Sequence, residues 1–549
     1  MFWIKRYRRS FLAGDAGAGI IVGLILIPQC MAYALIAGLP AVTGLYACML
    51  PAFAYAIFGS SMVASIGPMA ISSLMVGTAV SALAPVGSHT YSLMAQQLAF
   101  VTGTILFVCG IARMGFLSNF FSRPVMSGFT SGAALVIALN QSRPLLGITG
   151  DLAFTAIHWP SATMGLISLL FLAFSRCGMP SLTLFCSLRI ADILPKLAPI
   201  AVIVGATAAI SWLGQEYTGI QTVGQVPAGL PAIALPSSFE YVRILLLPSL
   251  TIGFMVFLLN QSAAQTLALR RSERLNPNRE LLGLGAANLA SAVSGGFVVT
   301  GSISRSAVNS SSGANTPVAS LIAAALIALA LCLPNRWLSM LPLPAMAAAI
   351  IVAVVGMIDF STLYESWHHD RSDAATLVAT ALGVLLIGVE EGVVLGVFLS
   401  FMSLSWRSSR ARVAVIGRMP GSENFRSISR YTVETLPNVL MLRVDTALAF
   451  NNVNGVIDSI EQKLRADPAI RHLVLELSAV NMIDTTAMLA IAGLNRALRG
   501  QERCMHLCEI KGHVMDRLER STFISRDLTG EVFLSAAQAY RHLRKRDYL

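Results

Sequence analysis

Arg305 is the side chain best placed by its surroundings to do chemistry. It lies in GGFVVTGSISRSAVNSSSGANTPVAS, residues 295–320, a small and hydroxyl-rich stretch within an otherwise apolar sequence. An ionisable group at membrane depth costs about 2.5–3.5 kcal/mol on insertion scales, so it is held against a partner or faces a watery path. A mobile anion is such a partner. Gln29 and Tyr33, in IPQCMAYA, form a second candidate pair. Their four-residue spacing puts them on one face of a helix, where an amide N–H and a phenol could meet an anion. Gln29 could equally bond to a neighbouring helix, and Tyr33 could simply pack.

Two breaks in the apolar pattern must position these groups. SMVASIGPMAISSLMVG, residues 61–77, and GFVVTGSISRSAVNSS, residues 296–311, each pair a strand-like stretch with the start of a short helix, at Gly67-Pro68 and at Gly301-Ser302. A helix N-terminus presents unpaired N–H groups and about half a unit of positive charge, so two facing each other favour an anion without any metal. Ser65, Ser72, Ser302 and Ser304 could add hydroxyls. The competing reading is that glycine and serine merely let helices pack closely. That reading leaves the arginine unexplained.

Composition supports membrane depth. Of 549 residues, 55% are hydrophobic and 12% charged, with mean hydropathy +0.69, whereas soluble chains carry about a quarter charged residues. Apolar runs suggest fourteen spans: 16–37, 43–58, 67–84, 94–113, 124–141, 161–175, 197–213, 244–268, 280–295, 302–312, 316–333, 343–358, 373–388 and 391–406. The start, residues 1–15, is basic and is expected to remain as a cytoplasmic segment with no cleaved signal. Basic loops after the even-numbered spans (Arg113 and Arg123; Arg176, Arg189 and Lys196; Arg270, Arg271, Arg274 and Arg279; Arg371) place both termini inside, against Arg143, Arg243 and Arg336 on the other side. The net charge of +11 then needs only topology and anionic membrane lipid, and no nucleic acid.

The eight cysteines fall singly and read as reduced thiols in apolar packing. No P-loop, HExxH or GxSxG motif and no convergent metal-ligand set is evident, so no enzyme, cofactor or metal is expected. His368 and His369 read as part of a solvated loop. After residue 406 the composition turns soluble. A linker over 407–430 leads to an alternating strand and helix pattern from 431 to 549, an α/β domain. Asp484 there can cap the helix that follows it.

Three stretches together resemble the sulfate permease (SulP) family of anion transporters, which includes prestin and pendrin. They are GIIVGLILIPQCMAYALIAGLPAVTGLYACMLPAFAYAIFGSS (19–61), SIGPMA (65–70) and GGFVVTGSISRSAVNSSSGANTP (295–317), joined by VIGRMPG (415–421). The resemblance implies a helical membrane domain over 16–406, built as a seven-plus-seven inverted repeat with core and gate, followed by a cytoplasmic STAS domain. It implies a homodimer working as an elevator. The central site it implies lies between the first, third, eighth and tenth spans, and maps onto Gln29, Tyr33, Gly67, Pro68, Met69, Ala70, Ser304 and Arg305.

One position departs from that pattern. Bacterial relatives often carry an acid in the eighth span, associated with proton or sodium coupling, whereas GFMVFLLNQSAAQTLALR has Gln261 there, with Asn260 and Ser262 beside it. An amide cannot titrate. With no carboxylate expected near the site, exchange or uncoupled movement of a small anion (sulfate, bicarbonate, chloride or a dicarboxylate) is favoured over cation symport. Glu390 and Glu391 at the edge of a late span read as exposed loop carboxylates. In the tail, Asp484-Thr485-Thr486 stands where STAS relatives can carry a phosphorylated serine, making these three candidate regulatory residues. A scaffolding protein acting through a cytoplasmic partner of the STAS domain is the alternative function, and a nucleobase permease is disfavoured by the tail. A bacterial inner membrane is the expected location.

Overall fold

In a computed structural model, the described residues are 3–4, 7–120, 122–148, 157–177, 188–214, 219–224, 226–236, 238, 240–271, 273–333, 336–410, 412–521 and 523–546. Lys5, Arg6 and Cys186, and the side chains of Arg176, Cys177, Arg189, Lys196, Arg270, Arg336 and Glu390, lie outside this description. The chain divides into two compact units, Met1–Ser400 and Phe401–Leu549.

Each expected span falls on a helix. They are α1 (Leu12–Ile36), α2 (Ala41–Phe58), α3 (Ala70–Ser81), α4 (His89–Ile111), α5 (Arg123–Leu146), α6 (Trp159–Cys177), α7 (Leu188–Leu213), α8 (Val242–Arg271), α9 (Pro277–Val293), α10 (Ile303–Ser311), α11 (Val318–Cys332), α12 (Leu343–Val355), α13 (Arg371–Leu386) and α14 (Val389–Ser409). Among the described residues, five helices are long and apolar enough to cross a membrane: Arg9–Ile36, Ala41–Phe58, His89–Ile111, Val242–Gln265 and Leu343–His369. Local chemistry marks several ends. Ser88 Oγ accepts the Tyr91 N–H to start α4, while Asn276 caps α9 ahead of Pro277 at its first turn, where proline loses no bond. His368 and His369 do not lie in a loop; they end a short helix, Phe360–His369, started by Asp359 accepting from Thr362 N–H.

The two breaks meet. β1 (Ile66–Gly67) and β2 (Thr300–Gly301) pair antiparallel, Ile66 opposite Gly301 and Gly67 opposite Thr300, and α3 and α10 begin just beyond them. Pairing at the breaks satisfies backbone groups that lipid could not. Around it, α1 packs against α3 and α10, and α8 packs against α3, β2 and α10.

Two fully buried carboxylates tie distant segments together. Asp15 in α1 accepts from Asn315 N–H (2.6 Å), Thr316 N–H (3.0 Å) and Thr316 Oγ (2.6 Å). Glu280 in α9 accepts from Tyr55 Oη (2.6 Å), Ser60 N–H (3.0 Å), Ser60 Oγ (2.6 Å), Ser61 N–H (3.1 Å) and Asn260 Nδ2 (2.7 Å). The expectation of no carboxylate near the eighth-span amides is therefore corrected: Glu280 reaches Asn260 from the next helix. Spacing along α8 alone could not reveal an acid delivered by tertiary packing.

The C-terminal unit is a six-stranded sheet in the order β4-β3-β5-β6-β7-β8, with β3 Val413–Arg418, β4 Phe425–Ser427, β5 Val439–Val444, β6 His472–Glu476, β7 Cys504–Cys508 and β8 Val532–Phe533. Helices α15 (Val453–Ala466), α16 (Thr485–Arg499), α17 (Gly512–Arg520) and α18 (Ala536–Arg546) complete it. β5 to β8 run parallel and β3 joins antiparallel. Val453, Val456, Ile460 and Leu464 form the buried face of α15. The stretch expected as linker, 407–430, is thus not linker throughout. Ile416 is buried and Val413 and Val415 are partly buried against the cores, so β3 and β4 belong to the sheet.

Candidate functional site around Arg305

Arg305 sits in the first turn of α10 and is 3% exposed. Its Nη1 donates to the Pro68 carbonyl at 2.6 Å, crossing from one broken helix to the entry of the other. Its Nε and Nη2 have no hydrogen-bond partner in the protein. Those two N–H groups form one edge of the guanidinium, the edge that grips two oxygens of a carboxylate or similar oxyanion side by side. Leaving buried donors unpaired costs about 1–3 kcal/mol each, and more when charged. Gly67 flanks the other end of the guanidinium: a Cβ there would lie in ordinary contact, 3.6 Å, with both Nη1 and Nη2.

The other expected residues gather unequally. Gln29 Nε2 donates to Tyr33 Oη at 2.7 Å, and Gln29 Oε1 has no partner. Met69 and Ala70 are buried, at the N-cap and first position of α3. Gln261 on α8 is buried with its Oε1 unpartnered. Ser302 and Ser304 hydroxyls bond to each other at 3.1 Å, and Ser302 is the N-cap of α10 without capping it by its side chain. Ser72 Oγ donates to the Met69 carbonyl at 3.0 Å. Ser65 contributes through its N–H, which donates to Ser306 Oγ at 2.9 Å.

Three groups were not anticipated. Asn260 gives its Nδ2 to Glu280 and lays its unpartnered Oδ1 against Gly301, where a Cβ would collide with it. Cys30 and Cys48, read from sequence as isolated thiols, lie side by side with their sulfurs 2.9 Å apart. Cys30 Sγ is also 3.9 Å from Arg305 Nη1. Cys30 follows Gln29 directly, the one hint available in the sequence.

A cavity of about 570 Å³ lies elsewhere, at the start of α1, lined by residues including Tyr7, Arg8, Phe11 and Arg271. Among the described residues no group of three or more His, Cys, Asp or Glu could hold a metal. In the C-terminal unit, Asp484 Oδ1 accepts from Ala487 N–H and Oδ2 from Phe450 N–H, both at 2.7 Å. Its carboxylate is a helix cap, and Thr485 and Thr486 beside it are exposed. Burial raises the Glu476 carboxyl above its ordinary range, with Glu509 adding to the shift and Ser478 and Arg443 opposing it.

Comparison with known proteins decides the family. The pattern of the sulfate permease family matches residues 12–380, and that of the STAS domain residues 430–539. The chain belongs to the sulfate permease family. This permease is 33% identical to a chloroplastic sulfate transporter of Arabidopsis thaliana, over 90% of this chain and 74% of that protein. It is 30% identical to a probable sulfate transporter of Mycobacterium tuberculosis, over 99% and 97%. The fold superposes on the murine Slc26a9 anion transporter with a TM-score of 0.89 at 20% identity, covering 99% of this chain and 93% of that one. The transmembrane domain of a cyanobacterial bicarbonate transporter, BicA, gives 0.61 at 19% identity, covering 71% and 98%. The permease is thus an integral membrane protein of an anion-transporter family, and its relatives are transporters rather than enzymes.

Proposed function

We propose that this permease moves a small oxyanion across the membrane, binding it between the N-termini of α3 and α10 against the free edge of Arg305. The observation that carries this reading is a buried guanidinium with Nε and Nη2 unpartnered while Nη1 is anchored. Two adjacent donors on one edge suit two oxygens better than a single halide ion. Sulfate, bicarbonate and small dicarboxylates offer that geometry. Ser302, Ser304, Gln29, Tyr33, Gly67, Pro68, Met69, Ala70 and Gln261 form the surroundings of the anion.

Gln261 offers no titratable group, and Glu280 is saturated. Its five donors, from Tyr55, Ser60, Ser61 and Asn260, fill the about four lone-pair sites of a carboxylate, so Glu280 serves as a tether for Asn260. The neutral amide of Gln261 supports exchange or uncoupled flux. The antiparallel contact of β1 with β2, each opening a short helix, supports an inverted repeat whose broken helices face each other at the midplane, with alternating access by movement of that core against a gate. Both termini inside a bacterial inner membrane, a homodimer and a STAS docking role for Thr485 and Thr486 complete the proposal.

Uptake of labelled sulfate, bicarbonate, chloride and a dicarboxylate into liposomes holding the purified permease tests it. Saturable flux of oxyanions is expected. Absence of saturable flux for every anion would favour a scaffold acting through its STAS domain.

A further inference from the structure

The proposed anion site leaves Cys30 and Cys48 unused, though they are its nearest reactive neighbours. Both are buried free thiols. Their sulfurs are 2.9 Å apart, and an S–S bond is about 2.05 Å, so bonding needs under about 1 Å of closure. The two helices run close here: a Cβ at Gly44, one turn before Cys48 in α2, would collide with the Cys30 carbonyl oxygen of α1. Cys48 Sγ lies 3.3 Å from the Gly44 carbonyl one turn back in α2, and it donates across to Cys30 Sγ on α1. Arg305 Nη1, 3.9 Å from Cys30 Sγ, stabilises the negative charge a sulfur carries as it attacks an electrophile.

We propose that Cys30 and Cys48 are a redox modification site, oxidised by a hydroperoxide to a disulfide that closes the anion site; the regulatory part rests on the Arg305 reading. The Cys30 sulfur attacks one oxygen of hydrogen peroxide, the O–O bond breaks, and a sulfenic acid and one water form. The Cys48 sulfur then attacks the sulfenic sulfur, and the departing hydroxide takes the thiol proton to leave as a second water. Two thiols and one peroxide thus give one disulfide and two waters. A small neutral peroxide can follow the route by which an anion reaches Arg305. The new bond draws the Cys30 sulfur toward α2 and away from Nη1. It also pins the turn of α1 that carries Gln29. A shift of roughly 1 Å in positioned groups is enough to cost much of a site's performance.

The test uses full-length permease in liposomes, treated with hydrogen peroxide, alkylated and mapped by peptide mass, with labelled sulfate flux measured in parallel. The expected result is a linked peptide pair joining Cys30 to Cys48, loss of most flux, and recovery with dithiothreitol. Cys48→Ser should transport like the wild type and keep its flux in peroxide; Cys48→Ala replaces it if the serine variant fails to insert. The proposal is overturned if wild type transports but yields no linked peptide, if the linked protein transports unchanged, or if both Cys48 variants lose flux equally in peroxide. A linked peptide in a protein that moves no anion when reduced refutes the transport reading and leaves the disulfide established.

Discussion

Replacing Glu280 by glutamine removes charge and one acceptor while preserving volume. Oε1 accepts from Ser60 N–H, Ser60 Oγ and Ser61 N–H, and Oε2 from Tyr55 Oη and Asn260 Nδ2. The new amide keeps its oxygen toward the three-donor side and turns an NH2 toward Tyr55 and Asn260. The Tyr55 hydroxyl can rotate to accept. Asn260 must either face donor to donor or flip, which would turn its amide nitrogen toward Gly301. At least one hydrogen bond to a charged group is lost, worth about 1.5–3 kcal/mol, reduced to roughly half where the unfolded reference remains in lipid. The expected destabilisation is therefore about 1–2 kcal/mol, a fall of about 1–2 °C in the melting temperature of the detergent-purified permease for a unit of this size. Flux should fall with it, because Asn260 borders β2. A variant with wild-type melting and wild-type flux would refute the role given to this carboxylate.

Gln261→Glu supplies the missing titratable group, so wild-type flux should be indifferent to a pH gradient or sodium while the variant acquires dependence on one of them; gradient-driven wild-type uptake would contradict the exchange reading. Gly67→Ala places a methyl 3.2 Å from Cys48 Sγ and 3.6 Å from both Arg305 terminal nitrogens. Cys48 Sγ must then give by a few tenths of an ångström beside the Arg305 site, and sulfate affinity in a flux titration should weaken modestly while the variant stays folded. In the C-terminal unit, the folded state binds the Glu476 proton more tightly than the unfolded state, so stability is greatest while that carboxyl is protonated. It is lost as pH rises from the unfolded carboxylate range, about 4.3, through the raised folded value. Glu476→Gln should flatten that fall in thermal melts of the permease followed through the C-terminal unit's transition.

Much of the architecture was legible because its signals are local. Apolar runs located the spans, and the Gly-Pro and Gly-Ser breaks marked where α3 and α10 begin. Arg305 stood out by charge in an apolar setting. Glu280 did not, because its environment is made by Tyr55, Ser60, Ser61 and Asn260, which only tertiary packing brings to α9. Cys30 and Cys48 read as ordinary small apolar residues for the same reason: their contact depends on how α1 lies on α2, which periodicity along either helix does not give. β3 was missed as a strand because VAVIGR is short and follows a basic stretch, so it read as connection; its register against Val444, Arg443 and Leu442 comes from β5. Ser72, a candidate hydroxyl donor, turns back to the Met69 carbonyl, a local bond that competes with any ligand.

The central claim is that the free edge of Arg305 holds the transported anion. Sulfate binding to purified wild type, Arg305→Ala and Arg305→Lys, measured by calorimetry at fixed ionic strength, tests it most directly. The expected result is saturable binding by wild type, loss of it in Arg305→Ala, and weakened binding in Arg305→Lys, which keeps the charge but not the two-donor edge. Undiminished binding by a folded Arg305→Ala would contradict the account.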